Sequence, residues 1–494
     1  MKEQVAKSVF WMVWSRGVLQ VLSFITTIVV ARWLSPSDYG LMALAGIWIS
    51  VLVLISEFGL GAAVLQFRDL SVEELNFCFY LGFSLASICY AALYFAAPFI
   101  GDWFNAPALA DVLRVVGLTL LISALAIIPD GLLRKQLQLD KVTKAEVSGA
   151  VVSLVTVLAL AWNGAGVWAL IYGMLARAAV QSFALYLYWP WRPGWRVSGS
   201  RRREILDFSS ATFGSRLMWT LYDQSDSLVL GKVSGEVALG FYTMARDLAS
   251  IPVTRISSLV NQMSVPLMAT LQDDRVAMRK MLLRGLRLTA SVSTPICLGF
   301  ILVAEDLVRV VLSDKWLPMV PVLQLLSVLS LIRSIDVLIA PVLRARFRTT
   351  FLAAYNAVLF VVMPLAFLVG AHSGGGVGVA TAWVVVYPLV MTRMIGEAFR
   401  EIELPWRMFW DQLRAPTNAA LFMTVAVLVL QLLIKGDELG IAVTRLAVCS
   451  GVGAVIYVGV LWLSGGPLRD ELREVLGWIF KRHGGKAGNN GKAN

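Results

Sequence analysis

Histidine is nearly missing from this chain, with two residues in 494. His372 falls in a joint between apolar stretches and His483 in the polar tail. None is left within an apolar stretch to relay protons or hold a metal. Cysteine is scarce as well. Cys78, Cys89, Cys297 and Cys449 sit singly inside apolar segments, without metal spacing, and read as packing residues. No phosphate-cradling glycine loop ends in a lysine; Ser373–Gly378 (SGGGVG) is glycine-rich but lacks one. Polar joints long enough to house a catalytic domain are also wanting on one side. These shortages point away from an enzyme.

Charge is the larger shortage. Only 15% of residues are charged and 58% are hydrophobic, a composition foreign to soluble domains. A membrane helix needs about 20 apolar residues. Such stretches are expected at 8–33, 39–64, 77–100, 112–133, 145–162, 166–189, 206–231, 238–268, 286–312, 316–341, 350–370, 376–397, 413–434 and 440–464. Residues 1–33 read as a first span and not a cleaved signal, since the apolar run is long and Arg16 interrupts it. The fold class is an all-α polytopic membrane protein of about 14 transmembrane helices.

The cations present are unevenly placed. One set of joints holds Arg68, Arg134, Lys135, Arg201, Arg202, Arg203, Arg344, Arg346, Arg348 and more, whereas the alternate joints hold only Arg32, Lys232, Lys315 and Lys435. Short basic joints resist translocation, so both termini are expected in the cytoplasm. The net charge of +11 is mostly this signal, and it does not speak for nucleic acid. The many tryptophans near span ends, Trp33, Trp103, Trp189 and Trp316 among them, read as interfacial belts.

The chain resembles itself at an offset of about 200 residues. Ser15-Arg16 falls on Ser215-Arg216, Val29 on Val229, Arg32 on Lys232, Gly40 on Gly240 and Ala45 on Ala245. The basic stretch WPWRPGWRVSGSRRRE, from Trp189, reads as the linker between the copies. The expected organisation is an N-lobe at 1–189, a linker at 190–205, a C-lobe at 206–400, two accessory spans within 401–466, and a polar tail at 467–494. With six spans per copy, both copies enter the membrane from the same side. Parallel repeats of this kind bind substrate between pseudo-symmetric lobes and expose it alternately to each face.

Ionisable groups inside spans mark the candidate site, because each costs about 2.5–3.5 kcal/mol at mid-bilayer. Arg16 and Arg216 stand about 12 Å inside their spans. They read as paired cations lining a cleft, or as fixed ion pairs that lock helices. Asp223 lies about 20° and Asp226 about 80° from the Arg216 direction on one helical wheel. These acids read as sites for a coupling ion or sugar hydroxyls, with a self-neutralising Arg216–Asp223 pair as the alternative. Arg255 and Arg246 are further cavity candidates. Arg333/Asp336 and Arg393/Glu397 have intrahelical pair spacing. Glu57 and Arg177 have no local partner. Substrate candidates are therefore Arg16, Arg216, Arg255, Asp223, Asp226, Arg246 and Arg333; coupling candidates are Asp223, Asp226, Glu57 and Asp336, with H⁺ or Na⁺ as the ion. No cofactor and no metal is expected.

Several segments resemble a known family. Leu34–Ala45 (LSPSDYGLMALA) and Glu57–Gln66 (EFGLGAAVLQ) are similar to the opening of Wzx-type polysaccharide flippases of the multidrug/oligosaccharidyl-lipid/polysaccharide exporter superfamily, in its exopolysaccharide and colanic-acid exporter-like subgroup. Asp226–Gly231 (DSLVLG), Leu239–Leu248 (LGFYTMARDL), Pro252, Val265–Leu271 (VPLMATL), Lys315-Trp316 and Val322–Leu326 (VLQLL) extend the likeness, while Asp223 departs from it. The resemblance implies two six-helix lobes and two accessory helices. It also implies flipping of an undecaprenyl-pyrophosphate-linked oligosaccharide across a bacterial inner membrane, with membrane lipids, polymerase and export machinery as candidate partners. A cation-coupled drug or small-solute exporter is the first alternative, although arginines outnumber acids in the spans. A membrane polysaccharide polymerase or ligase is the second, although the outer joints are short.

Overall fold

The computed structural model of the chain describes residues 26, 28–197, 201–436 and 438–464, without the side chains of 252–266 and 269. Arg16, the Arg255 side chain, most of the first expected span and the tail from 465 onward lie outside the described residues. Residues 28–33 are helical. There follow α1 (Pro36–Glu57), α2 (Leu60–Gln66), α3 (Val72–Trp103), α4 (Ala108–Val116), α5 (Leu118–Lys135), α6 (Leu139–Trp162) and α7 (Val167–Tyr188). Then come α8 (Arg202–Thr270), α9 (Arg275–Leu302), α10 (Ala304–Val311), a 3-10 turn (Asp314–Met319), α11 (Val320–Asp336) and α12 (Ile339–Ala345). Last are α13 (Thr349–Glu401), α14 (Trp406–Leu433) and α15 (Leu439–Leu463). Among the described residues there is no strand.

Every expected span from the second to the fourteenth meets a helix. Ten helices among the described residues are long and apolar enough to cross a membrane. Two long elements each cover two of the expected spans. A straight helix of 69 residues would reach about 100 Å; α8 has that many but reverses at Gly235, whose φ of 82° is closed to most side chains. The 53 residues of α13 break at Gly374 and Gly375. The second span is itself interrupted, because Phe58 adopts φ 44° and Gly59 φ 73° between α1 and α2.

Helix starts follow from sequence chemistry. Ser35 and Asp38 form a capping box ahead of α1, with Pro36 in the first turn, and Ser71 and Glu74 form another ahead of α3. Glu74 also holds Arg201 at 3.4 Å, and Asn76 binds the Gly194 amide and the Arg196 carbonyl at 3.0 and 2.9 Å. The basic stretch after α7 is thus pinned to the start of α3.

Two compact units emerge. The first gathers the described residues up to Met244 with Val311–Met319 and Phe360–Ala382. One of its cores packs Leu60, Val64, Cys78, Phe79 and Ile128, so Cys78 is the packing residue expected. The second unit holds Ala245–Val310, Val320–Leu359 and the described residues from Trp383 onward. There α14 and α15 pack on α9 through Met423, Val427, Cys449 and Tyr457. Asp306 accepts a two-pronged ion pair from Arg445, joining α10 to α15. At the arginine-rich end of the second unit, Glu401 binds Arg346 at 3.4 Å and Arg348 at 2.6 Å. That hydrogen bond holds the Arg348 guanidinium above its ordinary range. Glu397 pairs with Arg348 and Arg400 at 3.6 and 3.3 Å, which corrects the intrahelical Arg393/Glu397 pairing.

Candidate functional site: a sealed seam and a polar pocket on one helix

Within the first unit, α1 carries a distinct feature at each end. Its N-terminal end lies against the segment just after Gly235. A Cβ on Gly40 would fall inside the Glu236 carbonyl, and a Cβ on Gly240 inside the Pro36 carbonyl. Each glycine of the pair separated by 200 positions therefore faces the residue four before its own counterpart. That is a self-complementary, two-fold type of contact. Small residues let helix backbones touch where no apolar driving force separates helix from lipid. The Ser37 hydroxyl donates to the Glu236 carboxylate across the same seam.

The flanking contacts are reciprocal too. Arg32 donates to the carbonyl of Val311 at 3.1 Å, the last residue of α10. Lys232 donates to the carbonyl of Trp103, the last residue of α3, and lies 5.3 Å from its ring. Both cations cap a helix C-terminus, where unpaired carbonyls and the helix dipole favour positive charge. Trp316 is fully buried, which corrects its assignment to an interfacial belt. Its indole donates to the Ala31 carbonyl at 2.8 Å, and its ring meets Tyr39 and Phe241 edge-on at 5.3 and 5.9 Å. Lys315 adds a bond to the Arg32 carbonyl at 2.8 Å.

Toward the other end of α1, about 14–25 Å along the helix from Gly40 at 1.5 Å per residue, a cavity of about 520 Å³ opens between α1, α5 and α7. Each helix gives it one face, at three- and four-residue spacing. Ser56 and Glu57 come from α1; Thr119, Ser123, Asp130 and Arg134 from α5; Arg177, Gln181 and Ser182 from α7. Arg134 bridges Asp130 at 2.7 Å and Glu146 at 3.1 Å. Sequence reasoning found Glu57 and Arg177 but not Asp130 or Gln181. The available signal was the recurrence of polar residues at 119, 123, 130 and 134 in an apolar span.

The remaining candidates are distributed as follows. Arg216 is exposed and reaches Glu57 at 3.5 Å, so Glu57 has a partner from far along the chain. Asp223 is half-buried. Asp226 is 1% exposed and accepts from the Tyr242 hydroxyl at 2.7 Å and from the Ser227 amide at 2.6 Å. In the second unit, Arg246 is half-buried on α8. Arg333 lies 4.6 and 5.6 Å from the rings of Trp383 and Tyr387, and the Tyr387 hydroxyl donates to Asp336. An apolar cavity of about 370 Å³ also lies there, walled by Ile296, Phe300, Val427, Leu446, Ala454 and Val458 of α9, α14 and α15.

The comparisons agree with this architecture. A family model described as polysaccharide biosynthesis protein matches residues 29–321. The chain is 25% identical over 427 residues to the lipopolysaccharide biosynthesis protein WzxC of Escherichia coli (strain K12), covering 83% of this chain and 86% of that one. It is 25% identical over 474 residues to the succinoglycan biosynthesis transport protein ExoT of Rhizobium meliloti (strain 1021), covering 96% and 95%. Among solved structures, the lipid II flippase MurJ in an inward closed conformation superposes with a TM-score of 0.75 at 13% identity, over 94% of this chain and 100% of that one. An inward-facing multidrug resistance MATE transporter of the MOP superfamily follows at 0.60 and 15%, over 76% and 95%. The chain belongs to the polysaccharide biosynthesis protein family, built on the helical fold shared by these flippases and exporters.

Proposed function

We propose that the protein flips lipid-linked oligosaccharides from the cytoplasmic to the periplasmic leaflet of a bacterial inner membrane, with both termini cytoplasmic. The cargo is an undecaprenyl-pyrophosphate-linked repeat unit for exopolysaccharide or lipopolysaccharide, to be passed on to polymerase and export machinery. Lobes at 1–189 and 206–400 alternate their exposure around a cleft lined by Arg16, Arg216 and Arg255. The observation that carries this reading is the reciprocal seam through Gly40 and Gly240, in a chain whose relatives include a named transport protein. A closure built from backbone contact between repeated positions separates without unpacking a core, as alternating access requires.

The arginine cleft suits a pyrophosphate. Arg216 holds Glu57 through a pair whose side chains are 48% and 33% exposed, and such pairs are worth about 0–1 kcal/mol. A diphosphate offers a guanidinium two-pronged, charge-assisted bonds and displaces a partner held so weakly. The buried Asp226 and the half-buried Asp336, with Asp223 and Glu57, are the sites for a coupling H⁺ or Na⁺. The apolar cavity beside α14 and α15 accommodates part of the lipid tail. Arg16→Ala and Arg216→Ala are expected to abolish polymer export at normal protein level, with lipid-linked repeat units accumulating in the cytoplasmic leaflet. Normal polymer yield from both variants ends the cation-cleft account.

A further inference from the structure

We propose that the polar cavity between α1, α5 and α7 is a saccharide-binding pocket, which takes sugar residues of the cargo while the pyrophosphate is held elsewhere. The inference rests on the flippase reading and adds the place where the glycan is recognised. The volume of about 520 Å³ falls within the range of small-molecule sites, about 300–1,000 Å³.

The chemistry of the wall selects the ligand. Glu57 and Asp130 are balanced by Arg134 and Arg177, so the pocket carries no formal excess of either sign. A bare phosphate meets two carboxylates there, and a bare cation meets two guanidiniums. A neutral ligand rich in hydroxyls meets neither penalty, because each hydroxyl both donates and accepts. Acceptors are plentiful. The hydroxyls of Ser56, Thr119 and Ser182 donate to the carbonyls of Val53, Val116 and Ile122 at 2.8, 2.6 and 3.1 Å, which leaves their lone pairs unspent. Asp130 Oδ1 is buried without a hydrogen-bond partner. An orphaned buried acceptor is costly, and a ligand hydroxyl that donates to it removes that cost. Donors come from Gln181 and Arg177, and among the described residues Arg177 has no ion-pair or hydrogen-bond partner. Ile49, Val53, Ile127 and Met174 supply the apolar surface that the C–H faces of a sugar ring require.

The test uses the full chain in nanodiscs, with the buried native cysteines replaced, and oligosaccharide repeat units cut from the source organism's exopolysaccharide, free of lipid and phosphate. Ser123→Cys is placed in the pocket wall, and Trp195→Cys, at a residue 93% exposed, serves as the control. Millimolar fragment is expected to slow maleimide labelling of Ser123→Cys at least fivefold and to leave Trp195→Cys unchanged. Gln181→Ala and Arg177→Met, with melting temperatures verified, are expected to raise the fragment concentration needed for half-maximal protection at least tenfold. Unchanged labelling of Ser123→Cys, or equal protection in both variants, overturns the pocket. A parallel liposome assay separates the two claims. If the wild-type chain moves lipid-linked repeat units but Ser123→Cys is unprotected, only the pocket falls. If it moves none, the flippase reading falls and the pocket assignment with it.

Discussion

Gly240→Ala is expected to force the start of α1 away from the segment after Gly235. The added methyl would enter the Pro36 carbonyl, and the Gly40 amide lies only 3.1 Å from the same Cβ position. Both are backbone, so no side-chain rotation relieves the clash. Overpacking of this sort costs about 1–3 kcal/mol. Separation also releases the Ser37–Glu236 hydrogen bond, worth about 0.5–1.5 kcal/mol. At 1.4 kcal/mol per tenfold, the strain alone disfavours this close contact about 5- to 150-fold. Gly40→Ala should do the same, because its methyl meets Glu236 in the mirrored contact.

Cross-linking measures this directly. Ser37→Cys and Glu236→Cys face each other across the seam, and the four native cysteines, all buried and unpaired, can be replaced without adding reactive thiols. In membrane vesicles a short thiol-reactive linker should join the pair rapidly, and the joined protein should stop exporting polymer. Adding Gly240→Ala should cut the cross-linking rate at least fivefold. If Gly40→Ala and Gly240→Ala cross-link at the parental rate, the backbone contact does not hold α1 to the segment after Gly235 and the argument fails.

Three other perturbations probe the supports of the site. Arg445→Met leaves the Asp306 side chain, 3% exposed, without its charge partner, and should cost about 3–5 kcal/mol; a large fall in melting temperature, mostly recovered in Asp306→Leu/Arg445→Met, is the expected result. Trp316→Phe keeps the ring contacts but strands the Ala31 carbonyl, so a loss of about 1 kcal/mol is expected by thermal unfolding, against about 3–5 kcal/mol for Trp316→Ala. Glu74→Ala removes both the capping partner and the Arg201 anchor, and protease cleavage between Trp189 and Arg201 should accelerate several-fold while the bundle stays intact.

Much of the fold was legible because a bilayer leaves a span few choices. Each expected stretch from the second to the fourteenth meets a helix, since an apolar run of that length has no other way to satisfy its backbone. Even 238–268, interrupted by Arg246, Asp247, Arg255 and Asn261, is helical. The site was legible only where its logic is local or repeated. Gly40 and Gly240 stood out because a backbone contact tolerates no side chain at either copy, so the constraint writes the same letter twice. Arg216–Glu57 and Asp306–Arg445 join residues 159 and 139 positions apart. An acid and a base in different spans pair by geometry alone, and no spacing rule connects them. Trp316 shows the converse. A tryptophan at a span end looks the same whether it floats at an interface or, as here, closes over Tyr39 and Phe241. Only the Ala31 carbonyl, waiting at the end of a helix 285 positions away, decides between the two, and that carbonyl has no sequence signature.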